Sequence, residues 1–170
     1  MTIWYSADAH FYHTNILKYC NRPFKSVKHM NDEIVRRWNS VVEPDDTVFY
    51  LGDVGYWIND SITSKVKEIY DTLNGNKILV SGNHDHKTNG IASPIQNMDI
   101  EINGWLIHCS HVPNPIYKMN FSGHVHEKYD VITPGGKTIV NVGVDVWDFY
   151  PTNIEKINAR LEEKGLRKIE

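Results

Sequence analysis

Residues 47–86 read TVFYLGDVGYWINDSITSKVKEIYDTLNGNKILVSGNHDH, and this stretch sets the architecture of the chain. TVFYLG (47–52) and KILVS (77–81) are short apolar runs bounded by turn residues, which predicts two strands. Between them, SITSKVKEIYDTL (61–73) places its apolar residues on one helical face, and Gly75 is the expected C-cap. This order predicts an α/β fold whose ligands collect just past the carboxyl ends of the strands.

The segments before residue 47 extend the same alternation. TIWYSA (2–7) is rich in β-branched and aromatic residues and predicts a first strand. Residues 14–20 predict a short helix with Thr14 as its N-cap. From about Asn31, NDEIVRRWNSVV has apolar residues at helical spacing and acidic residues early, which predicts a longer helix.

The segments after residue 86 predict a mostly antiparallel half. MDIEING and WLIHCS flank Asn103 and Gly104, a strong signal for a type I′ hairpin, and YDVIT and KTIVNV flank PGG. TNIEKINARLEEKG (152–165) predicts a closing amphipathic helix, with Thr152 as its cap and Gly165 at its end.

Bulk composition limits the class of protein. The 170 residues suit a single domain spanning 1–170, and 41% hydrophobic and 23% charged residues are typical of a globular protein. The net charge is −3, whereas a binder of duplex DNA usually has a basic face. Cys20 and Cys109 form no disulfide framework, and we find neither a signal peptide nor a membrane span. We therefore expect a cytoplasmic protein without a membrane partner.

Polar side chains follow the predicted strands at five separate places. Asp, Asn and His side chains without thiolates suit manganese, iron or zinc. Two ions about 3.5–4 Å apart need a bridging carboxylate, and Asp53, behind Gly52, fits that position. The clusters contain Asp8, His10, Asp53, Asn83 to His86, His108, His111, His124 and His126.

The ordered motifs carry a family resemblance. DAH (8–10), GD (52–53), GNHD (82–85), His111 and GHVH (123–126) run in the order of the calcineurin-like metallophosphoesterase signature. DAHFYHTNIL, CNRPF, NSVVEPDDTVFYLGDV and NVGVDVW look like the small, capless members of phages and bacteria. The resemblance implies a four-layer α-β-β-α sandwich of two mixed sheets flanked by helices, in a bacterial or phage-infected cell.

The resemblance also implies a role for each matching residue. His84 would act on the phosphate, as a catalytic group and a substrate contact, and Asp85 would orient its imidazole. Asn83 would contact the substrate as well as a metal. Manganese is the expected ion, with iron, zinc or nickel as alternatives. One divalent ion would be held by Asp8, His10, Asp53 and His126, and a second by Asp53, Asn83, His111 and His124.

The reaction implied by such a site is phosphoester hydrolysis by a metal-activated hydroxide. A small phosphodiester or a nucleotide is the expected substrate. A phosphomonoesterase and a nuclease are alternatives with the same site, although the acidic pI of about 6.3 does not favour a long nucleic acid. A non-catalytic binding scaffold is the remote alternative, disfavoured because Asp53 and His84 are both present.

Some residues keep two interpretations from sequence alone. His13 either lies at the site and contacts substrate or is a polar residue that begins a helix. Arg22 either contacts a substrate phosphate or, as we favour, forms an ordinary surface or ion-pair contact. His108 is favoured as a core histidine. Most aromatic residues near the motifs are expected to pack in the core, with one or two stacking on a nucleobase: Tyr56, Trp57, Tyr117, Phe121, Trp147, Phe149 and Tyr150.

Overall fold

A computed structural model describes residues 1–56, 59–85 and 95–170 of the chain. Strands and helices alternate through its first half, and short strands dominate its second. In chain order the elements are β1 Ile3–Ser6, α1 Ile16–Tyr19, α2 Val27–Asn39, β2 Thr47–Tyr50, α3 Asp60–Thr72, β3 Asn76–Leu79, β4 Asn97–Ile102, β5 Trp105–Ser110, β6 Met119–Ser122, β7 Val131–Ile132, β8 Thr138–Asn141, β9 Thr152–Asn153 and α4 Ile154–Glu163.

The described strands form two mixed sheets. The first has the order β3-β2-β1-β9, in which β1 pairs in parallel with β2, β2 pairs in parallel with β3, and β9 runs antiparallel to β1. The second has the order β4-β5-β6-β8-β7, in which the outer pairs are antiparallel and the inner pairs parallel. The predicted α/β architecture of two mixed sheets flanked by helices is confirmed.

Alternation along the strands explains why the first sheet is covered on both faces. Successive side chains of a strand point to opposite faces. In β2, Val48 and Tyr50 pack in one hydrophobic cluster with residues of α2 and α3, while Phe49 packs in the other cluster. The second cluster joins inward side chains of both sheets, such as Phe121, to Ile157 of α4. The sheets are therefore held together by a shared apolar core.

Several element boundaries differ from the sequence expectation because local caps decide them. Helix α2 begins at Val27, where the side chain of Ser26 accepts a hydrogen bond from the His29 N–H. Asn153, not Thr152, caps α4 by accepting a hydrogen bond from the Lys156 N–H. Thr152 belongs to β9 and pairs with Tyr5 of β1.

Helix α1 is capped at Asn15 rather than Thr14. Helix α3 ends at Thr72 with Leu73 as its C-cap instead of Gly75, although Gly75 does have a left-handed φ of +91°.

The second half is less antiparallel than predicted. Both hairpins are present, and Asn103 and Gly104 have φ angles of 50° and 76°, as a type I′ turn requires. However, β6 inserts between the hairpins and pairs in parallel with both β5 and β8. The sequence prediction missed β6 because MNFS (119–122) is not part of a longer apolar run of the kind that marks β1 and β2.

No helix in the described ranges is long and apolar enough to cross a membrane.

Candidate metal centre

The candidate ligands come together where the strands of both sheets end. Asp8 and His10 follow β1, and Asp53 follows β2. Asn83 follows β3, His111 comes directly after β5, and the GHVH segment follows β6. Parallel strands bring their carboxyl ends to one edge of a sheet, so loops far apart in sequence meet there. The predicted ligands therefore lie close together, as the following distances show.

Asp53 lies between two groups of side chains. It is 1% exposed, and its Oδ2 is 3.4 Å from His10 Nε2 and 3.3 Å from His111 Nε2. Its Oδ1 accepts a hydrogen bond of 2.9 Å from the backbone N–H of His84. One carboxylate oxygen thus faces a histidine on each side, while the other is held by the backbone.

One group consists of Asn83, His111 and His124 beside Asp53. Asn83 Oδ1 is 2.9 Å from His111 Nε2 and 2.8 Å from His124 Nδ1, and these two nitrogens are 3.3 Å apart. His111 Nδ1 lies 2.8 Å from the carbonyl oxygen of Leu51, which can only accept a hydrogen bond. Nδ1 therefore carries a hydrogen, and Nε2 is the ring nitrogen that faces Asn83 and Asp53.

The other group consists of Asp8, His10 and His126, whose ligand atoms all lie within 4.8 Å of one another. Asp8 is fully buried, and His10 Nε2 is buried without a hydrogen-bond partner among the described residues. His126 Nδ1 lies 3.1 Å from Asp145 Oδ2, so Nδ1 carries the hydrogen and Nε2 is left as a ligand atom. Burying an imidazole nitrogen without a hydrogen-bond partner costs folding free energy unless the nitrogen binds a ligand.

These separations fit ligands around a metal ion. Ligand atoms about 2.1 Å from one ion, at angles of roughly 90–109°, lie roughly 3.0–3.4 Å apart. The spacings around Asn83, His111, His124 and Asp53 run from 2.8 to 3.3 Å. Oxygen and imidazole ligands suit borderline-to-hard divalent cations. The chain therefore carries candidate metal-binding clusters on both sides of Asp53.

The backbone of the site is strained at its ligands. Left-handed φ angles are uncommon in residues other than glycine and cluster at functional sites. The loops are fixed by hydrogen bonds from the Asp8 N–H to the Gly52 carbonyl (3.0 Å) and from the His10 N–H to the Asp53 carbonyl (3.1 Å). The ligand residues with positive φ are Asp8 (60°), His10 (52°), Asp53 (56°), His124 (71°) and His126 (52°).

Gly82 allows one of these close approaches. A Cβ atom at Gly82 would lie 2.2 Å from Asp53 Oδ1 and 2.3 Å from the Asp53 backbone nitrogen, which no side chain tolerates. The glycine of the GNHD motif is thus required for the contact between the loops after β2 and β3.

The carboxylates of the site stabilise positive charge on neighbouring histidines and so raise their pKa values. Burial disfavours a charged His111, but the hydrogen bond to Asp53 and the nearby Asp8 carboxylate outweigh it and raise the pKa of His111 to about 9. Burial likewise opposes charge on His126, but its hydrogen bond to Asp145 dominates and raises its pKa to about 10. Burial raises the pKa of Asp8 to about 7. The same side chains that attract protons are the candidate metal ligands.

His84 and His13 lie beside the cluster of His10. The ring centroid of His84 is 5.2 Å from that of His10 and 6.0 Å from that of His13. His13 is 7% exposed and stacks on Tyr56 at 4.2 Å, and burial lowers its pKa to about 4. His13 thus lies at the site, as one of its two interpretations proposed, and it is uncharged at neutral pH.

Asp85 and Arg22 are both held by hydrogen bonds beside the candidate ligands. The Asp85 carboxylate accepts backbone hydrogen bonds from Asp53 (2.7 Å), Gly82 (2.9 Å) and Val54 (3.2 Å). These contacts hold the Asp53 loop in place, and the role of Asp85 in orienting the His84 ring stays a prediction. Arg22 is buried, donates to both carboxylate oxygens of Asp145 at 2.8 Å and donates to the carbonyl oxygen of Asp8. All three nitrogens of its guanidinium donate hydrogen bonds within the protein, so the substrate-phosphate interpretation was wrong and the ion-pair alternative is correct.

The sequence interpretation missed Asp145. Its carboxylate joins Arg22 to His126, and the signal was its position as a lone acid in the apolar segment NVGVDVW (141–147). Cys20 lies with His126 and Asp145 in a third group whose ligand atoms are within 4.8 Å of one another.

The remaining expectations concern residues away from the ligands. His108 Nδ1 is 2.6 Å from Asp99 Oδ1 and its ring stacks on Tyr117 at 3.7 Å, which agrees with the core interpretation. Phe121, Trp147 and Phe149 are buried in the cores, as expected for packing residues. Trp57 and His86 lie outside the described residues.

Fold and site together define a class of protein: an α/β sandwich with candidate metal-binding clusters at its strand ends. The sequence is 36% identical over 172 residues to the uncharacterized protein MJ1445 of Methanocaldococcus jannaschii, covering 96% of this chain and 92% of that protein. The chain belongs to the family of this archaeal protein.

Other similarities agree with that assignment. The Gene 66 protein of Mycobacterium phage L5 is 32% identical over 82 residues, which are 48% of this chain and 39% of the phage protein. The crystal structure of AQ665, a protein of unknown function from Aquifex aeolicus, matches 94% of this chain and 98% of its own with a TM-score of 0.72 and 26% identity. No family model matches the sequence.

Proposed function

We propose that this protein is a calcineurin-like phosphoesterase that hydrolyses a small phosphodiester or nucleotide with two divalent cations. The observation that carries the proposal is the position of Asp53 Oδ2, 3.4 Å from a nitrogen of one ligand group and 3.3 Å from a nitrogen of the other. A carboxylate that faces two groups of metal ligands is the expected bridge of a dinuclear site.

The chain's own residues determine which ions fit. Asp8, His10, His126 and Asp53 would hold one, and Asp53, Asn83, His111 and His124 the other. Their oxygen and imidazole donors favour manganese, with iron, zinc or nickel as alternatives. When bound, such cations supply an activated water at neutral pH and positive charge against the phosphate.

His84 would complete the reaction. Its backbone N–H is fixed to Asp53 Oδ1, and its ring borders a cavity of about 470 Å³ beside His10. From there the imidazole can protonate the leaving oxygen of the ester, a step that typically contributes about 10²–10⁴ to the rate. Neutral His13, packed between Tyr56 and His10, would keep the His84 ring from turning away without adding repelling charge.

The decisive experiment measures hydrolysis of bis(p-nitrophenyl) phosphate by the full chain supplied with Mn²⁺. We expect turnover, and we expect His84→Ala to lower kcat by about 10²–10⁴ while Mn²⁺ binding is kept. Asp53→Asn should remove both binding and turnover. His29→Ala changes an exposed histidine of α2 and serves as the control. A folded, Mn²⁺-binding chain that leaves this ester intact would contradict the proposal and favour a binding scaffold.

The same assay separates the competing substrate classes. p-Nitrophenyl phosphate tests a monoesterase, and single-stranded DNA tests a nuclease. We expect the diester to be preferred over both.

A further inference from the structure

The cavity beside His84 has an aromatic wall, and the proposed chemistry uses its inner part but not its outer part, Tyr19. The cavity measures about 470 Å³, which is large enough for a ligand arm and is bordered by both ligand histidines of one metal group, His10 and His126. His13 and Tyr56 form the stacked inner part of the wall. Tyr19, on α1, forms its outer part, edge-on to His13 with ring centroids 6.1 Å apart.

Tyr19 is unusual in its exposure. It is 69% exposed, whereas His13 next to it is 7% exposed. An exposed large ring at the mouth of a polar site provides a face for a planar ligand, because its apolar surface gains by being covered. The wall is held in place because α1 packs into the core through Ile16.

The charges of this cavity indicate what kind of group it takes. Besides histidines, its ionisable lining residues include Glu127 and Lys128, whose charges offset each other. Such a lining does not favour a second phosphate. It suits an uncharged planar group with polar edges, which Asn15 and these two side chains can meet.

A second cavity borders the opposite metal group. It measures about 420 Å³ and is lined by Asn83 and His111 together with polar residues such as Ser81, Gln96 and Ser110. A phosphate centred on Asp53 would therefore have a cavity on each side. A phosphodiester has two arms to fill them, whereas a monoester has one.

We propose that the substrate is a phosphodiester with a nucleoside arm, whose base stacks on Tyr19 in the cavity beside His84. The inference rests on the proposed function, because the phosphate is placed by the metal centre. It assigns Tyr19 as a specificity-determining residue for the planar arm.

The test compares two ligands that share a phosphate group. Thymidine 5′-phosphate and methyl phosphate are titrated by calorimetry into the full chain supplied with Mn²⁺. Stacking of one base predicts that the nucleotide binds at least about fivefold more tightly. Tyr19→Phe keeps the ring and should keep this ratio, whereas Tyr19→Ala should reduce it to within about twofold. Methyl phosphate should bind equally to all three proteins.

The outcomes distinguish this inference from the proposed function. Equal affinity of the wild type for both ligands, or an unchanged ratio in Tyr19→Ala, overturns the inference even if bis(p-nitrophenyl) phosphate is hydrolysed. A ratio that disappears only in Tyr19→Ala supports it even if no ester is cleaved, and in that case the proposed hydrolysis alone fails. Failure of both ligands to bind overturns it as well.

Discussion

Asp145 lies where three loops of the candidate site meet. It receives both charged hydrogen bonds of Arg22, and Arg22 in turn donates to the backbone carbonyls of Asp8 and Ala9. Its Oδ2 also lies 3.1 Å from His126 Nδ1. One carboxylate therefore fixes the loop after β1 and sets the direction of a ligand histidine. Partners of this kind are as important to metal affinity as the ligands themselves.

Replacing Asp145 with Asn should weaken Mn²⁺ binding. The variant keeps the size of the side chain but loses the charge that orients His126 and pairs with Arg22. We expect the dissociation constant of the ion on the His126 side to rise by about 10–100-fold, measured by calorimetry.

Asp99→Asn is the matched control for this experiment. It removes the carboxylate partner of His108, a histidine outside the metal groups, and should leave Mn²⁺ affinity unchanged. Equal effects of the two substitutions would show that Asp145 acts only on general stability.

At the next level, helix α4 is fastened to the second sheet by one acidic residue. Asp130 precedes β7, and its carboxylate lies 2.5 Å from Arg160 Nη1 and 2.9 Å from Lys164 Nζ. The guanidinium of Arg160 also lies 4.9 Å from the centroid of the Trp147 ring. Burial opposes the charge of Asp130, but these hydrogen bonds dominate and lower its pKa from 3.8 to about 2.

Asp130→Asn should destabilise the protein in a pH-dependent way. A carboxyl whose pKa is lower in the folded chain stabilises the fold above pH 3.8 and loses that effect as pH falls toward 2. Because the pair is partly exposed, we expect a loss of about 1 kcal/mol at pH 7, and a smaller difference from wild type below pH 4. Urea unfolding of the variant and the wild type at several pH values measures this difference in the free energy of unfolding.

The control is Asp71→Asn, which removes the exposed pair with Lys67 on α3 and should change the free energy of unfolding very little. A pH-independent difference for Asp130→Asn would contradict the assignment.

Elements with their own periodic pattern were predictable, and those defined by tertiary pairing were not. β1, β2, α3 and both hairpins follow from apolar spacing and turn residues. β1 and β2 lie in longer strand-like runs, TIWYSA and TVFYLG, whereas β6 (MNFS) lies in no such run and β9 has only two residues. β6 pairs in parallel because the fold places it between β5 and β8.

The site divides in the same way. The gathering of candidate ligands such as Asp53 and His111 at the strand ends was predictable, because the order of the motifs can be read from the sequence. The backbone contacts of Asp85, the ion pair of Arg22 and the position of Tyr19 depend on the directions that side chains take in the folded chain. Linear order carries no information about those directions.

For the molecule as a whole, the candidate metal-binding groups combine residues from the two sheets. Asp8, Asp53 and Asn83 follow strands of the first sheet, and His111 and His124 follow strands of the second. A cation bound by both sets links the sheets in the folded chain but not in the unfolded chain. Cation binding should therefore stabilise the whole fold and not only one loop.

Mn²⁺ should raise the Tm of the protein, and a chelator should reverse the increase. At a concentration about 100-fold above the dissociation constant, binding at one site contributes about 2.7 kcal/mol, which corresponds to roughly 5–10 °C for a chain of this size. Differential scanning calorimetry measures the shift. Asp53→Asn should show little or none of it, and an equal shift in that variant would contradict a centre built around Asp53.

The left-handed backbone at Asp8, His10, Asp53, His124 and His126 has a consequence for the history of such a chain. The free energy of folding already includes the conformational penalty of these residues, so an ion bound as proposed would lose little affinity to ordering its ligands. Under the proposed function, a descendant that no longer bound metal ions would keep the conformational penalty without the gain in affinity. Drift in that lineage would favour glycine or asparagine at these positions, and such replacements would mark the loss of the centre.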